Sequence, residues 1–250
     1  MDTGLIIAIV VATALAFDFT NGFHDTANSM AATIATGALK PRTAVTIAAL
    51  CDVIGAFISL KVAVTIAKGI VDPSAVTLSI IFGGLVGAIM WNLATWYLGL
   101  PSSSSHALIG GVIGATAIVA GWSAVKGEGI VQKVLVPAVI SPILAGVVAI
   151  VATRITRTLT QRENKREVAR GYRLGQIASS SLLSLAHGTN DAQKTMGVIT
   201  LALIANGDLS KGSDPPLWVI ISAALAIGSG TWLGGWRIMH TLGKRVTDIE

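Results

Sequence analysis

The chain has 250 residues, 52% of them hydrophobic and 12% charged, with a mean hydropathy of +0.72 and a formal net charge of +5. Soluble domains carry about 25% charged residues, so this chain has too little polar surface for a soluble all-α core, and several of its apolar runs approach the roughly 20 residues needed to cross a bilayer. The positive charge is local: Arg154, Arg157, Arg162, Lys165, Arg166, Arg170 and Arg173, against Glu163 and Glu167, equal the net charge of the whole chain, and between two apolar spans they read as a cytoplasmic segment rather than a nucleic-acid patch.

In chain order, the run Leu5 to Phe17 has the length of a signal-peptide core, and Ala14-Leu15-Ala16 resembles a cleavage site. Asp2 and the absence of Lys or Arg ahead of it argue for a retained span instead. The first apolar stretch covers about 5–39, interrupted by polar residues at 18–28, and ends at Lys40-Pro41-Arg42. A second span covers about 43–67 and contains the single cysteine, Cys51, so an intrachain disulfide is excluded. A third runs from about 75 to 100, followed by Pro101-Ser102-Ser103-Ser104-Ser105-His106 and a Gly-rich apolar piece to about 120. After a polar connection at 121–133 come a span at 134–153, the basic loop at 154–173, a long stretch at 174–205, a polar loop at 206–216, a span at 217–239 and a basic tail.

Placing the basic loop inside puts 121–133 outside, the N-terminus outside and Arg237, Lys244 and Arg245 inside. The segment 75–120 either crosses twice, with its serines in a cytoplasmic loop, or forms a re-entrant hairpin with the serines at its tip. With no Lys or Arg between Lys68 and Lys126, the hairpin is favoured; its irregular backbone then has to line a polar cavity. The resulting expectation is an all-α polytopic membrane protein with an inverted-topology repeat and a re-entrant helical hairpin. It divides into 1–153, the first repeat; 154–173, the basic loop; and 174–250, the start of the second repeat.

One short motif occurs twice in this apolar background. Gly22-Phe23-His24-Asp25-Thr26-Ala27-Asn28 and Gly188-Thr189-Asn190-Asp191-Ala192-Gln193-Lys194 both read Gly, any residue, His or Asn, then Asp. An ionisable group inside a span is costly and is retained for function. Asn21, Asp25 and Asn28 have the i, i+4, i+7 spacing of one helix face, and so do His187, Asp191 and Lys194. Asp with Asn oxygens is hard-ligand chemistry, suited to Na⁺ or a proton rather than a soft metal. Gly22 and Gly188 are places where a helix is expected to break and expose carbonyls.

The serine run suggests different chemistry. Ser after Pro at the start of a helix is a capping arrangement, and the free N–H groups with the positive dipole end attract an anion. A Ser–His nucleophile is disfavoured, because the chain lacks a Gly-x-Ser-x-Gly elbow; the chain is not read as an enzyme. His24 and His240 read as local hydrogen-bonding residues, since no metal-ligand spacing surrounds them.

Asp18-x-x-Asn21-Gly22-x-x-Asp25-x-Ala27-Asn28, Gly99-Leu100-Pro101-Ser102-Ser103-Ser104-Ser105-His106 and His187-Gly188-Thr189-Asn190-Asp191-Ala192-Gln193-Lys194 together resemble the signatures of the inorganic phosphate transporter (PiT) family. The resemblance runs through nearly the whole chain. It implies a symporter of inorganic phosphate driven by Na⁺ or H⁺, without other cofactors, homodimeric, embedded in lipid at the plasma (inner) membrane and without a nucleic-acid partner. It implies coupling-cation ligands at Asn21, Asp25, Asn28, Asn190 and Asp191, with Na⁺ at Asp25, Asn28 and Asp191. Thr26, Ser102, Ser103, Ser104, Ser105, Gln193 and Lys194 would then bind the anion. A sulfate permease and a truncated, non-transporting membrane protein are the alternatives. The family carries a second Ser/Thr–His hairpin after its second Asp motif, and only 59 residues follow Asp191 here. The second repeat is therefore expected to be incomplete and the natural protein to continue past Glu250.

Overall fold

Long apolar stretches with few interior helix breakers fold here as helices, because in lipid every backbone N–H and C=O has to be satisfied within its own segment. The computed structural model describes residues 3–58, 71, 75–161, 165–210 and 212–234, and the side chains of 26–28 fall outside that description. Its seven main helices are α1 Thr3–Ala35, α2 Pro41–Ala56, α3 Leu78–Leu98, α4 Ser104–Val119, α5 Gly127–Thr160, α6 Lys165–Asn206 and α7 Leu217–Gly234. By length and composition α1, α3, α5 and α7 can each cross a membrane; the chain is an all-α integral membrane protein. The distal part of the second expected span, from residue 59, and the basic tail lie outside the described residues.

Local chemistry sets the helix ends. Pro41 occupies the first turn of α2, where its missing N–H is harmless. The ends of α1, α3 and α6 are each followed by a glycine at positive φ: Gly37 (68°), Gly99 (69°) and Gly207 (92°). In each case the next N–H reaches back into the helix, Ala38 and Leu100 to Thr33 and Thr95, and Asp208 to Leu203, closing the carbonyls that a helix end leaves open. Within α5, Val131–Leu135 widens into a π-helical turn. Pro137 follows two residues later; it lacks the N–H that would bind the Lys133 carbonyl, and its ring crowds that carbonyl.

Helix α1 is the axis of the bundle, packing on α6, α7 and α3, while α2 packs on α6 and α7. The interior holds Phe17, Leu85, Leu108, Met196, Ile199 and Ile227 in one cluster. The helices α3 and α4 form the hairpin expected of 75–120, with an antiparallel bridge between Val71 and Val125 joining its open ends. Its closed, serine-bearing end meets Asn21 and Asp25 of α1 through Ser104. Asn21 lies about 27 Å from the start of α1 and about 21 Å from its end. The tip therefore stops partway along the neighbouring span. Helix α5 is the outlier: nothing in its regular part Val136–Thr160 is buried.

Two expectations are corrected. Neither Gly22 nor Gly188 breaks a helix: α1 and α6 run straight through them. They are contact points instead. A Cβ on Gly22 would overlap the Ile227 carbonyl of α7, and one on Gly188 the Asp52 carbonyl of α2. Reciprocally, a Cβ on Gly55 of α2 would overlap the Leu185 carbonyl of α6, and one on Gly230 of α7 the Phe19 carbonyl of α1. The register that lays Gly22 on Gly188 also lays Phe19 on Leu185, so α1 with α7 repeats the packing of α6 with α2. The basic segment 154–173 is also largely helical rather than a loop, since α5 runs to Thr160 and α6 begins at Lys165.

Gly188→Ala is expected to destabilise the bundle by about 1–3 kcal/mol through backbone overpacking. Gly146→Ala, on α5 with nothing within 4 Å of its Cβ position, should be neutral or stabilising by about 0.5–1 kcal/mol. Thermal melts of the two variants in one detergent compare them directly; equal shifts would refute the close-packing role.

Candidate functional site

The two polar stripes face each other across α1 and α6. Asn21 bridges them: its Nδ2 donates to Asp191 Oδ2 at 3.1 Å, and its Oδ1 accepts from the Ser104 hydroxyl at 2.6 Å. Ser104 Oγ also lies 2.6 Å from Asp25 Oδ2. A hydroxyl has one hydrogen to donate, so Asn21 and Asp25 compete for it. On the other side Lys194 Nζ donates to Asp191 Oδ1 at 2.5 Å and to the Ser105 hydroxyl. An unbroken polar chain thus runs from Asp25 through Ser104, Asn21, Asp191 and Lys194 to Ser105, joining both motifs to the hairpin tip.

His187 stands at the centre. Its Nδ1 donates to Asp52 Oδ1 of α2 at 2.8 Å, which fixes the ring. Its Nε2 is buried without a hydrogen-bond partner among the described residues, 3.5 Å from Asp191 Oδ2 and 3.9 Å from Asp25 Oδ2. Asp52 is itself buried and its second oxygen accepts from Thr231 of α7 at 2.6 Å. Asp25, His187 and Asp191 offer ligand atoms within 4.8 Å of one another, a set of two carboxylates and an imidazole that suits a cation. An open cleft of about 400 Å³ reaches this cluster, lined by Asp25, Ser29, Pro101, Ser102, Ser103, Leu183 and His187.

The hairpin tip behaves as its sequence suggests. Ser103 is the N-cap of α4, accepting from the His106 N–H at 3.3 Å. Through Ser105 the first turn of α4 lies beside Lys194, and a cation next to a helix N-terminus is a favourable arrangement for an anion. His24 is a local hydrogen-bonding residue: its Nε2 lies 2.9 Å from Thr95 Oγ1 and 3.3 Å from Ser102 Oγ.

Of the residues expected at a site, Asn21, Asp25, Ser104, Ser105, Asp191 and Lys194 come together, and Ser102 and Ser103 line the cleft. Gln193 is buried on α6. Asn190 is exposed and takes no part in the network among the described residues, because adjacent helical residues point about 100° apart. The side chains of Thr26 and Asn28 lie outside the described residues, as does His240. Two site residues escaped the sequence reading: Asp52, which orients His187, and His187 itself as the group between the carboxylates. A lone acid in the apolar run 43–67 was the available signal.

The comparisons with known proteins agree among themselves. A model of the phosphate transporter family matches residues 21–170 and 156–250. A probable low-affinity inorganic phosphate transporter of Mycobacterium bovis is 58% identical over 246 residues, covering 98% of this chain. A probable low-affinity inorganic phosphate transporter of Bacillus subtilis is 44% identical over the whole chain and is covered over 76% of its own length. The chain spans 59% of the length of the mycobacterial relative. Among solved structures, "The sodium-dependent phosphate transporter" shares the fold with a TM-score of 0.86 at 22% identity, over 98% of this chain and 79% of that one.

Asp52→Ala leaves the His187 N–H without its acceptor and the Thr231 hydroxyl with only the Gly22 carbonyl. It is expected to cost about 3–5 kcal/mol, the scale of breaking a buried polar pair. Asn190→Ala should stay within about 0.5 kcal/mol, as exposed positions do. Denaturation of both variants by the same method tests this; a silent Asp52→Ala would remove Asp52 from the site.

Proposed function

The chain belongs to the phosphate transporter family, and from that premise we propose that it carries inorganic phosphate across the membrane by symport with a cation, Na⁺ or H⁺. The observation that carries this reading is the chain of contacts from Asp25 to Ser105, because it joins carboxylates that suit a cation to a helix N-terminus and lysine that suit an anion. An anion and a cation bound side by side neutralise one another, so each is held better with the other present. That is the physical content of coupling.

In this reading the N–H groups at the start of α4, with Ser102, Ser103, Ser105 and Lys194, hold the phosphate oxygens. Asp25 and Asp191, with Asn21 between them, hold the coupling cation. His187 Nε2, aimed at both carboxylates, donates to phosphate when protonated and ligates a cation when not. Thr26 and Gln193 are proposed to add to the anion site and Asn28 to the cation site. The units 1–153 and 174–250 are read as repeats of inverted topology; the reciprocal glycine contacts of α1 with α7 and α6 with α2 support this. Two copies of the chain are proposed to associate in the plasma membrane, with the N-terminus outside and the basic ends of α5 and α6 in the cytoplasm.

Asp25→Asn and Asp191→Asn are each expected to abolish gradient-driven phosphate uptake in a transport-competent form, and near-normal uptake by either would refute the assignment. Single-cysteine labelling at exposed Gln161 in a Cys51→Ser background tests orientation. An impermeant reagent should fail to reach Gln161→Cys in intact cells and label it after permeabilisation; labelling from outside would invert the topology.

A further inference from the structure

The network described above leaves out one acid. Asp18 lies on α1, two turns before Asp25, and its exposure is 0%. Neither of its oxygens has a hydrogen-bond partner among the described residues, and the Thr195 hydroxyl of α6 is likewise buried and unpaired. Thr195 is the hydroxyl that approaches the Asp18 carboxyl, without completing a bond of ordinary geometry. A bare carboxylate in such a place, with no donor on either oxygen, is among the costliest arrangements a protein interior can hold.

Neighbouring cations relieve it only at a distance, with no hydrogen bond to either oxygen among the described residues. Of the charged groups around it, Asp191 on α6 repels a carboxylate, while Lys194 is committed to Asp191 and Ser105 and His187 to Asp52. Asp52 on α2 is taken up by His187 and Thr231. On α1 itself His24 and Asp25 belong to the hairpin contacts. The helices α3 and α7, which also pack on α1, carry no Asp, Glu, Lys, Arg or His. A hard metal cation takes about six oxygens, and Thr195 supplies one.

The internal repeat shows that the fold does not require an acid here. The register that lays Gly22 on Gly188 lays Asp18 on Ser184 and Ser29 on Thr195. In the other half Ser184 donates to Ser29 at 3.0 Å, an ordinary hydroxyl pair. The same position in the same packing therefore holds two hydroxyls in one half and a carboxyl facing a hydroxyl in the other.

We propose that Asp18 is a proton-binding site separate from the Asp25–Asp191 cluster, carrying its proton in this conformation and serving as a proton carrier of the transport cycle. In the protonated form its O–H has the Thr195 oxygen within reach of a small rotation, and the buried charge is gone. When the bundle rearranges and α1 moves relative to α6, Asp18 gains water, releases the proton and becomes a carboxylate; no other bond is made or broken. The place of that proton in a coupled cycle rests on the symport reading above, whereas its presence on Asp18 does not.

Infrared spectroscopy of the purified full chain in lipid at neutral pH reads the proton directly. The wild type should show the carbonyl-stretch band of a buried, protonated carboxylic acid, shifted in D₂O. Asp18→Asn should lose that band completely, while Asp25→Asn keeps it. An unchanged band in Asp18→Asn, or no such band in the wild type, overturns the proposal. Should Asp18→Asn fail to fold, ¹³C-aspartate labelling with Asp18→Glu gives the same answer, because the labelled band then disappears from the folded variant; a labelled band that persists there overturns the proposal. Calorimetry with inorganic phosphate across a pH series tests the carrier role. Proton exchange on binding is expected in the wild type and lost in Asp18→Asn; exchange that is identical in both overturns it. Absence of any phosphate binding in the wild type would count against the symport reading and leave the infrared result standing.

Discussion

Two carboxylates, Asp25 and Asp191, sit close enough inside an apolar bundle that both approach the same imidazole nitrogen, at 3.9 and 3.5 Å. Their repulsion in a weakly polarisable interior is the constraint that the surrounding residues answer. Lys194 neutralises Asp191 from one turn away, the Asn21 amide donates to it from the other helix, and Ser104 reaches Asp25 from the hairpin. No single helix supplies all the partners. The cluster exists only when α1, α6 and the hairpin are docked together, so the site reports on the packing of the bundle and the packing depends on the site being satisfied.

That mutual dependence requires helix backbones closer than ordinary side chains permit. Gly22, Gly188, Gly55 and Gly230 provide it, each placing its Cα where a methyl group would strike a carbonyl of the partner helix. In lipid, where apolar side chains gain little by leaving the solvent, such small-residue contacts are a main source of helix association. They also bring Thr231 to within 3.1 Å of the Gly22 carbonyl and 2.6 Å of Asp52. Asp52 in turn sets the direction of the His187 ring, so the close packing of α2 and α7 is transmitted to the nitrogen at the centre of the site.

Helix existence and the hairpin were legible in the sequence, because a 20-residue apolar run and a Pro–Ser turn each have one dominant physical outcome. The facing stripes were legible as well, since i, i+4, i+7 spacing fixes a face whatever the tertiary packing. The role of the motif glycines was not. Glycine serves both helix breaking and close approach, and only the identity of the opposing backbone separates the two. Asn190 lies outside the contacts of the cluster because its angle on the helix, and not its proximity in sequence to Asp191, sets where it points. Asp52 stood in plain view as an acid in an apolar run and Asp18 as the first residue of the family signature, but neither belongs to the repeated motif, and a search led by repetition gives no role to what occurs once.

The unrepeated residues are informative for that reason. Superposing the motif helices pairs Asn21 with His187, Asn28 with Lys194 and Asp18 with Ser184, while Gly22 with Gly188, Asp25 with Asp191 and Met30 with Met196 are unchanged. The shared members are those that set packing and the central acids. Those that differ carry a proton or a charge on one side and a neutral polar group on the other. In the proposed inverted repeat, a symmetric scaffold would make two alternative arrangements of comparable energy available, and a perfectly symmetric set of side chains would give no reason for one ligand to prefer either. Lys194 on α6, set against the uncharged Asn28 at the equivalent place on α1, puts positive charge on one side of the cluster, and His187, set against Asn21, adds a group there that can take up a proton. In the proposed symport, an anion entering the cleft would meet the two helices unequally, and that inequality would let its binding favour one arrangement of α1 against α6 over the other.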